Sequence, residues 1–209
     1  MRPDVLPGQM QLDERFTLAQ LQSVLDNPVL HIASHFRFVP GSDASFLLLG
    51  DGSHLTLRDV RARGLRFNRV DLLTLSACET AVGGGHNENG LEVEGLGVLA
   101  QKQGARAVLA TLWPVADAST GLLMQRFYQL RQRDNTSKAE ALRQAQLVLL
   151  RGDFTAGSAA SSTAAPTQER GAARATAGVA AAASFTTDPT RRYAHPYYWA
   201  PFILMGNWL

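Results

Sequence analysis

The chain has 209 residues, 45% of them apolar and 18% charged, with a formal charge of +2 and a single cysteine. That length and composition describe one globular domain with a proper core, not a disordered or fibrous chain. The small, scattered basic excess excludes an electrostatic case for nucleic acid, and a lone Cys excludes an internal disulfide framework.

A single thiol favours a reducing compartment. The start, Met1-Arg2-Pro3-Asp4-Val5-Leu6-Pro7, has no apolar run suited to a signal peptide. No apolar stretch reaches the ~18 residues of a membrane span. The expectation is a cytoplasmic protein that does not engage a membrane.

Thr17, with Gln20 three positions on, has a capping-box pattern and predicts a short helix to about Leu25. Val29 to His35 reads as a buried strand. Phe36 to Ser45 is a turn-rich loop, and Phe46 to Leu49 is a second short strand turned by Gly50-Asp51-Gly52. Thr56 with Asp59 predicts another helix start, and Gly64 its stop. Val70 to Cys78 is the next strand. The glycine-rich loop from Ala81 to Gly90 leads into a helix from about Leu91 to Gln103, stopped by Gly104.

Ala107 to Trp113 is a strand broken by Pro114, Asp117 can cap a helix through Leu130, and Ser137 with Glu140 opens a helix to about Leu150. Strands alternating with helices predict an α/β sandwich around a mostly parallel sheet. From about Asp153 to Arg192 the chain is dominated by Ala, Ser, Thr and Gly. Such a stretch buries too little surface to offset its ordering entropy, so it is expected to be a disordered insertion. One domain is then built from residues 1–152 and 193–209, closed by an aromatic strand from His195 to Trp208.

Two predicted strands end in reactive side chains, His35 and Cys78. In an open parallel sheet, chemistry collects beyond the carboxyl ends of strands. A thiol is mostly protonated at neutral pH, and a histidine within hydrogen-bond reach can take its proton and return it to the leaving group. The amides of Cys78 and of Phe36, the residue after His35, are candidate oxyanion donors. A free cysteine is also often a small buried hydrophobe. His31 lies on the same side of the strand as His35 and is either a core histidine or a competing base.

Four motifs stand in order: His31-Ile32-Ala33-Ser34-His35, Ser76-Ala77-Cys78-Glu79-Thr80, Ala110-Thr111-Leu112-Trp113-Pro114-Val115-Ala116-Asp117 and Tyr197-Tyr198-Trp199-Ala200-Pro201-Phe202. Together they resemble the CHAT domain, a caspase-like family in the clan that also holds separases. The similarity extends through Glu94-Gly95, Gly104-Ala105, Phe127-Tyr128 and Ala141 to Gln146. It spans the chain from about residue 14, the Ala/Ser/Thr segment excepted.

The resemblance implies a caspase-type three-layer sandwich with a mostly parallel central sheet and helices on both faces. It implies a cysteine endopeptidase with His35 and Cys78 as a dyad, no third polar partner, and no metal or organic cofactor. Protein substrates are the implied partners, with a TPR-containing or regulatory protein as a further one. A bacterial origin is implied as well. Asp117 matches the separase-like position that recognises a basic residue before the scissile bond, as a buried anion. Its alternative role is to cap the following helix, with Thr120 as reciprocal partner.

Two departures from the family pattern stand out. Caspases place glycine after the catalytic histidine, where this chain has Phe36. A side chain there is tolerated if φ is negative, and otherwise narrows or blocks the site. The chain also begins shortly before the histidine strand, so a domain shortened at its amino end is expected, and no TPR repeats are read in these residues.

Glu79 and Glu94 are weaker candidates for the Asp117 role. Asp71 reads as structural, and Trp113 and Trp199 as cleft walls or core. His54 and His86 lack metal-ligand spacing, and His195 reads as packing at a strand start. The glycine loop lacks the Lys-Ser/Thr of a phosphate-binding loop, and is expected to order on activation or be cut in maturation. The competing function is a catalytically silent interaction or regulatory module of the same fold.

Overall fold

A computed structural model of the chain describes residues 8–37, 45–76, 96–132, 136–153 and 188–209. Three of its helices, those capped by Thr17, Thr56 and Ser137, start where a side chain takes up an orphan amide. In α1 (Leu18–Val24) the Thr17 hydroxyl accepts from Gln20 N–H. In α2 (Leu57–Ala62) the box is complete: Thr56 accepts from Asp59 N–H, and the Asp59 carboxylate accepts from Thr56 N–H. Gly64 follows at φ +61°, a conformation that ends the helix. Helix α3 occupies residues 96–102, α4 spans Asp117–Arg131, and α5 spans Lys138–Arg151 with Ser137 as its N-cap.

The strands β1 (Val29–Ile32), β5 (Leu72–Leu75), β6 (Ala107–Thr111) and β7 (Phe202–Gly206) form one sheet in that order. β1, β5 and β6 run parallel, and β7 returns antiparallel to β6. Every residue of β5 and β6 is buried, as expected of strands covered on both faces. The predicted α/β class, with a mostly parallel central sheet, is therefore what forms.

Alternation along the strands divides the core in two. Leu30, Ile32, Leu73, Leu75, Val108 and Ala110 face Leu21 of α1, Val60 of α2 and Leu99 of α3. Leu72, Ala107 and Leu109 face Leu123 and Phe127 of α4 and Ala141, Ala145 and Leu149 of α5.

A second, three-stranded antiparallel sheet lies on the first of these faces, in the order β2 (Phe36–Arg37), β3 (Phe46–Leu48), β4 (His54–Thr56). The sequence reading contained only β3 of this sheet. The strands are two or three residues long, too short for period-two alternation to stand out. β1 also stops at Ile32, short of the expected His35, because the chain turns there into β2.

Most of the expected Ala/Ser/Thr insertion, residues 154–187, lies outside the described residues. Its described end carries a 3₁₀ turn, Pro189–Arg191, capped by Asp188. A β-carbon on Gly152, at the end of α5, would meet Arg191 Cγ at 2.8 Å, so the two flanks lie together.

Candidate active site

β1 and β5 end side by side. Their register pairs Val29 with Leu72 and Ile32 with Leu75, and Ser76 N–H donates to Ile32 C=O at 2.9 Å one step further. Cys78 itself lies outside the described residues, as do Glu79, His86, the glycine loop and Glu94. β6 runs parallel beside β5, so Asp117, which follows it, belongs to the same carboxyl edge of the sheet.

His35 is exposed, and its backbone is held at two neighbouring points. Its carbonyl accepts from Leu48 N–H at 2.8 Å, and the Ser34 hydroxyl donates to Leu48 C=O at 2.6 Å. Both bonds tie the turn after β1 to β3, which places the imidazole on a braced segment.

Phe36 settles one of the departures. It has negative φ, since Asp13 alone among the described non-glycine residues has positive φ. Its side chain is 2% exposed and lies in the core with Leu47 and Leu30, opposite in parity to His35. The bulk that replaces glycine is therefore absorbed by the core. Phe36 pairs with Leu47 between the His35–Leu48 bond and the next rung. In this non-hydrogen-bonded position its N–H is directed away from β3.

Asp117 is exposed, not the buried anion expected. It is the first residue of α4, and the N-cap is Ala116, which makes no side-chain cap bond. The expected reciprocal capping with Thr120 does not form; the Thr120 hydroxyl is enclosed without a partner among the described residues. Three residues on from a cap is the right spacing for reciprocity, and Asp117 stands one residue too late to be that cap.

Sequence reasoning missed a polar cluster beneath this edge. His31 Nε2 and Ser76 Oγ share a hydrogen bond of 2.9 Å. Tyr128 of α4 donates to Thr74 Oγ1 at 2.8 Å, and its ring lies 5.7 Å from that of His31. Burial pushes the His31 pKa down to about 4 and lifts the Tyr128 phenol to a value above its ordinary 10. The signal was present in the alternation: Thr74 of β5 and Ser76 just after it are polar residues two positions apart in an apolar run.

The remaining candidates are structural. Trp113 Nε1 donates to Tyr197 C=O at 3.0 Å and Trp199 Nε1 to Ala194 C=O at 3.0 Å, so both indoles brace the closing segment. His195 is the cap of a 3₁₀ turn, accepting from Tyr197 N–H, and does not begin a strand. His54 lies in β4, stacked on Phe46 at 3.7 Å, and not in a turn. Asp71 is structural as expected, paired with Lys138 at 3.0 Å. Among the described residues no group of His, Cys, Asp and Glu has the arrangement of a metal site, and no helix is long and apolar enough to cross a membrane.

No curated protein matches the chain. The family model of the CHAT domain matches residues 3–207, nearly its whole length. That match, with a parallel sheet whose carboxyl edge carries the motif histidine, places the chain in the CHAT domain family, a caspase-like family related to proteases.

Proposed function

We propose that this chain is a cysteine endopeptidase in which His35 is the general base and Cys78 the nucleophile. The observation that carries the reading is that β1 and β5, the strands that lead in sequence to His35 and to Cys78, lie side by side and parallel. His35 takes the thiol proton, and the thiolate adds to the scissile carbonyl carbon. The oxyanion accepts from the N–H groups of Phe36 and Cys78. The protonated His35 gives its proton to the leaving amine as the C–N bond breaks. A water, deprotonated by His35, then hydrolyses the thioester and frees Cys78.

Asp117 is proposed to favour substrates with Arg or Lys before the cut. Because it is exposed, its pairing with a guanidinium is worth at most about 1 kcal/mol, about a fivefold preference. The test is a peptide-library cleavage assay comparing the parent chain with Cys78→Ala and Asp117→Asn. Cleavage after basic residues is expected to vanish in the first variant and lose its preference in the second. Cys78-dependent cleavage elsewhere would remove the Asp117 role alone. A folded parent chain that cuts nothing would leave a catalytically silent CHAT module.

A further inference from the structure

His31 sits in a strand whose other residues are Val29, Leu30 and Ile32. Its Nδ1 is enclosed and has no hydrogen-bond partner among the described residues. Leaving a buried polar atom unsatisfied costs about 1–3 kcal/mol, and a leucine at that place would carry no such nitrogen. An orphaned buried nitrogen calls for a reason beyond packing. Among the described residues the bond the ring makes runs to Ser76, the residue just after β5, which precedes Ala77 and Cys78 in the sequence.

We propose that His31 is a positioning residue for Cys78, acting through its hydrogen bond to Ser76. The role rests on the His35–Cys78 reading above. An enclosed N–H without an acceptor is rarer than an enclosed acceptor without a donor. The neutral ring therefore carries its proton on Nε2 and donates to Ser76 Oγ. Ser76 is then held twice, by this bond and by its own N–H to Ile32 C=O at 2.9 Å. Both anchors fall on the residue two positions before Cys78 in the sequence. With its pKa lowered to about 4, His31 is a poor base at neutral pH and leaves proton transfer to His35.

Cys78 is the chain's single cysteine, so alkylation by iodoacetamide reports on it alone. Its rate against pH gives the thiol titration, and peptide cleavage gives kcat and KM, both measured on the full chain. Ser76→Ala is expected to lower kcat about tenfold with little change in KM or Tm, as a small misplacement of a reacting group does. It is also expected to move the thiol titration toward the ordinary value of about 8.5. Ser76→Thr, which keeps a hydroxyl, should recover both. His31→Leu should match Ser76→Ala, and the double variant should be no worse than either.

An unchanged kcat and titration in Ser76→Ala, or losses that simply add in the double variant, would overturn the positioning role. If His31→Leu fails to fold, the Ser76→Ala and Ser76→Thr pair decides alone. A parent thiol that already titrates as ordinary cysteine, indifferent to His35→Ala, removes the dyad and this role with it. A His35→Ala effect without a Ser76→Ala effect removes only the role of His31.

Discussion

His31 is the residue at which burial and chemistry meet most directly. Its folded pKa near 4 lies below the ordinary 6.5 because desolvation disfavours the imidazolium. Between these two values the unfolded chain binds the proton and the folded one does not, so stability falls as pH drops from about 6.5 to about 4. The loss levels off below that, at about 3 kcal/mol from this group. Urea midpoints across this range should show the slope in the parent, and His31→Leu should flatten it. Phe36 makes a different prediction. Its ring is 2% exposed among Leu47, Leu30 and Ile32, so Phe36→Ala should cost about 3–5 kcal/mol in urea denaturation. A cost near zero would mean that the ring is not in the core. The placement of Phe36 is not visible in the local sequence, where it reads as a residue beside the candidate site, and for His31 the sequence leaves a core histidine and a competing base both open.

At the scale of the element, caps were legible and their completeness was not. Thr56 and Asp59 close the full box. Ser137 accepts from Glu140 N–H, but the Glu140 carboxylate turns to Arg143 and Gln144. Those bonds pull its pKa down to about 2. A guanidinium one turn on competes better for that carboxylate than the backbone N–H of the cap. The end of α5 shows the converse, a local signal reinforced by a distant contact. Gly152 has φ +74° and sits against Arg191 and Thr190. Gly152→Ala therefore meets both a left-handed backbone and a contact of 2.8 Å, and should lower stability by about 2 kcal/mol in thermal melts. An unchanged Tm would show that the two flanks of residues 154–187 do not pack as described.

Across the whole molecule, two cores share one sheet, and an ion pair between a buried lysine and a half-buried aspartate joins distant segments. Lys138, 1% exposed, donates to Asp71 at 3.1 Å and to the Leu209 carbonyl. Arg131 Nη2 also reaches Asp71, at 3.9 Å. Removing the carboxylate leaves an ammonium enclosed without its counter-charge, so Asp71→Ala should cost about 3 kcal/mol. Lys138→Met replaces the charge with apolar bulk and should cost less. Urea denaturation of both variants checks the order, and the reverse order would show that Lys138 gains more from packing than from charge.

The sequence by itself determined the α/β class, the helix starts at Thr17, Thr56 and Ser137, the fully buried β5 and β6, and the order of the motifs that mark the family. Those signals are local: a cap needs a residue three positions away, and a buried strand needs only its own apolar run. Only the tertiary structure decided which strands pair and at what offset, the antiparallel return of β7, and the small second sheet. It also sent Phe36 into the core, left Asp117 in solvent without a cap, and tied His31 to Ser76, Tyr128 to Thr74 and Lys138 to Asp71. Each of those bonds joins residues 45 to 67 positions apart, and their geometry follows from how strands and helices pack, which no short window of sequence contains.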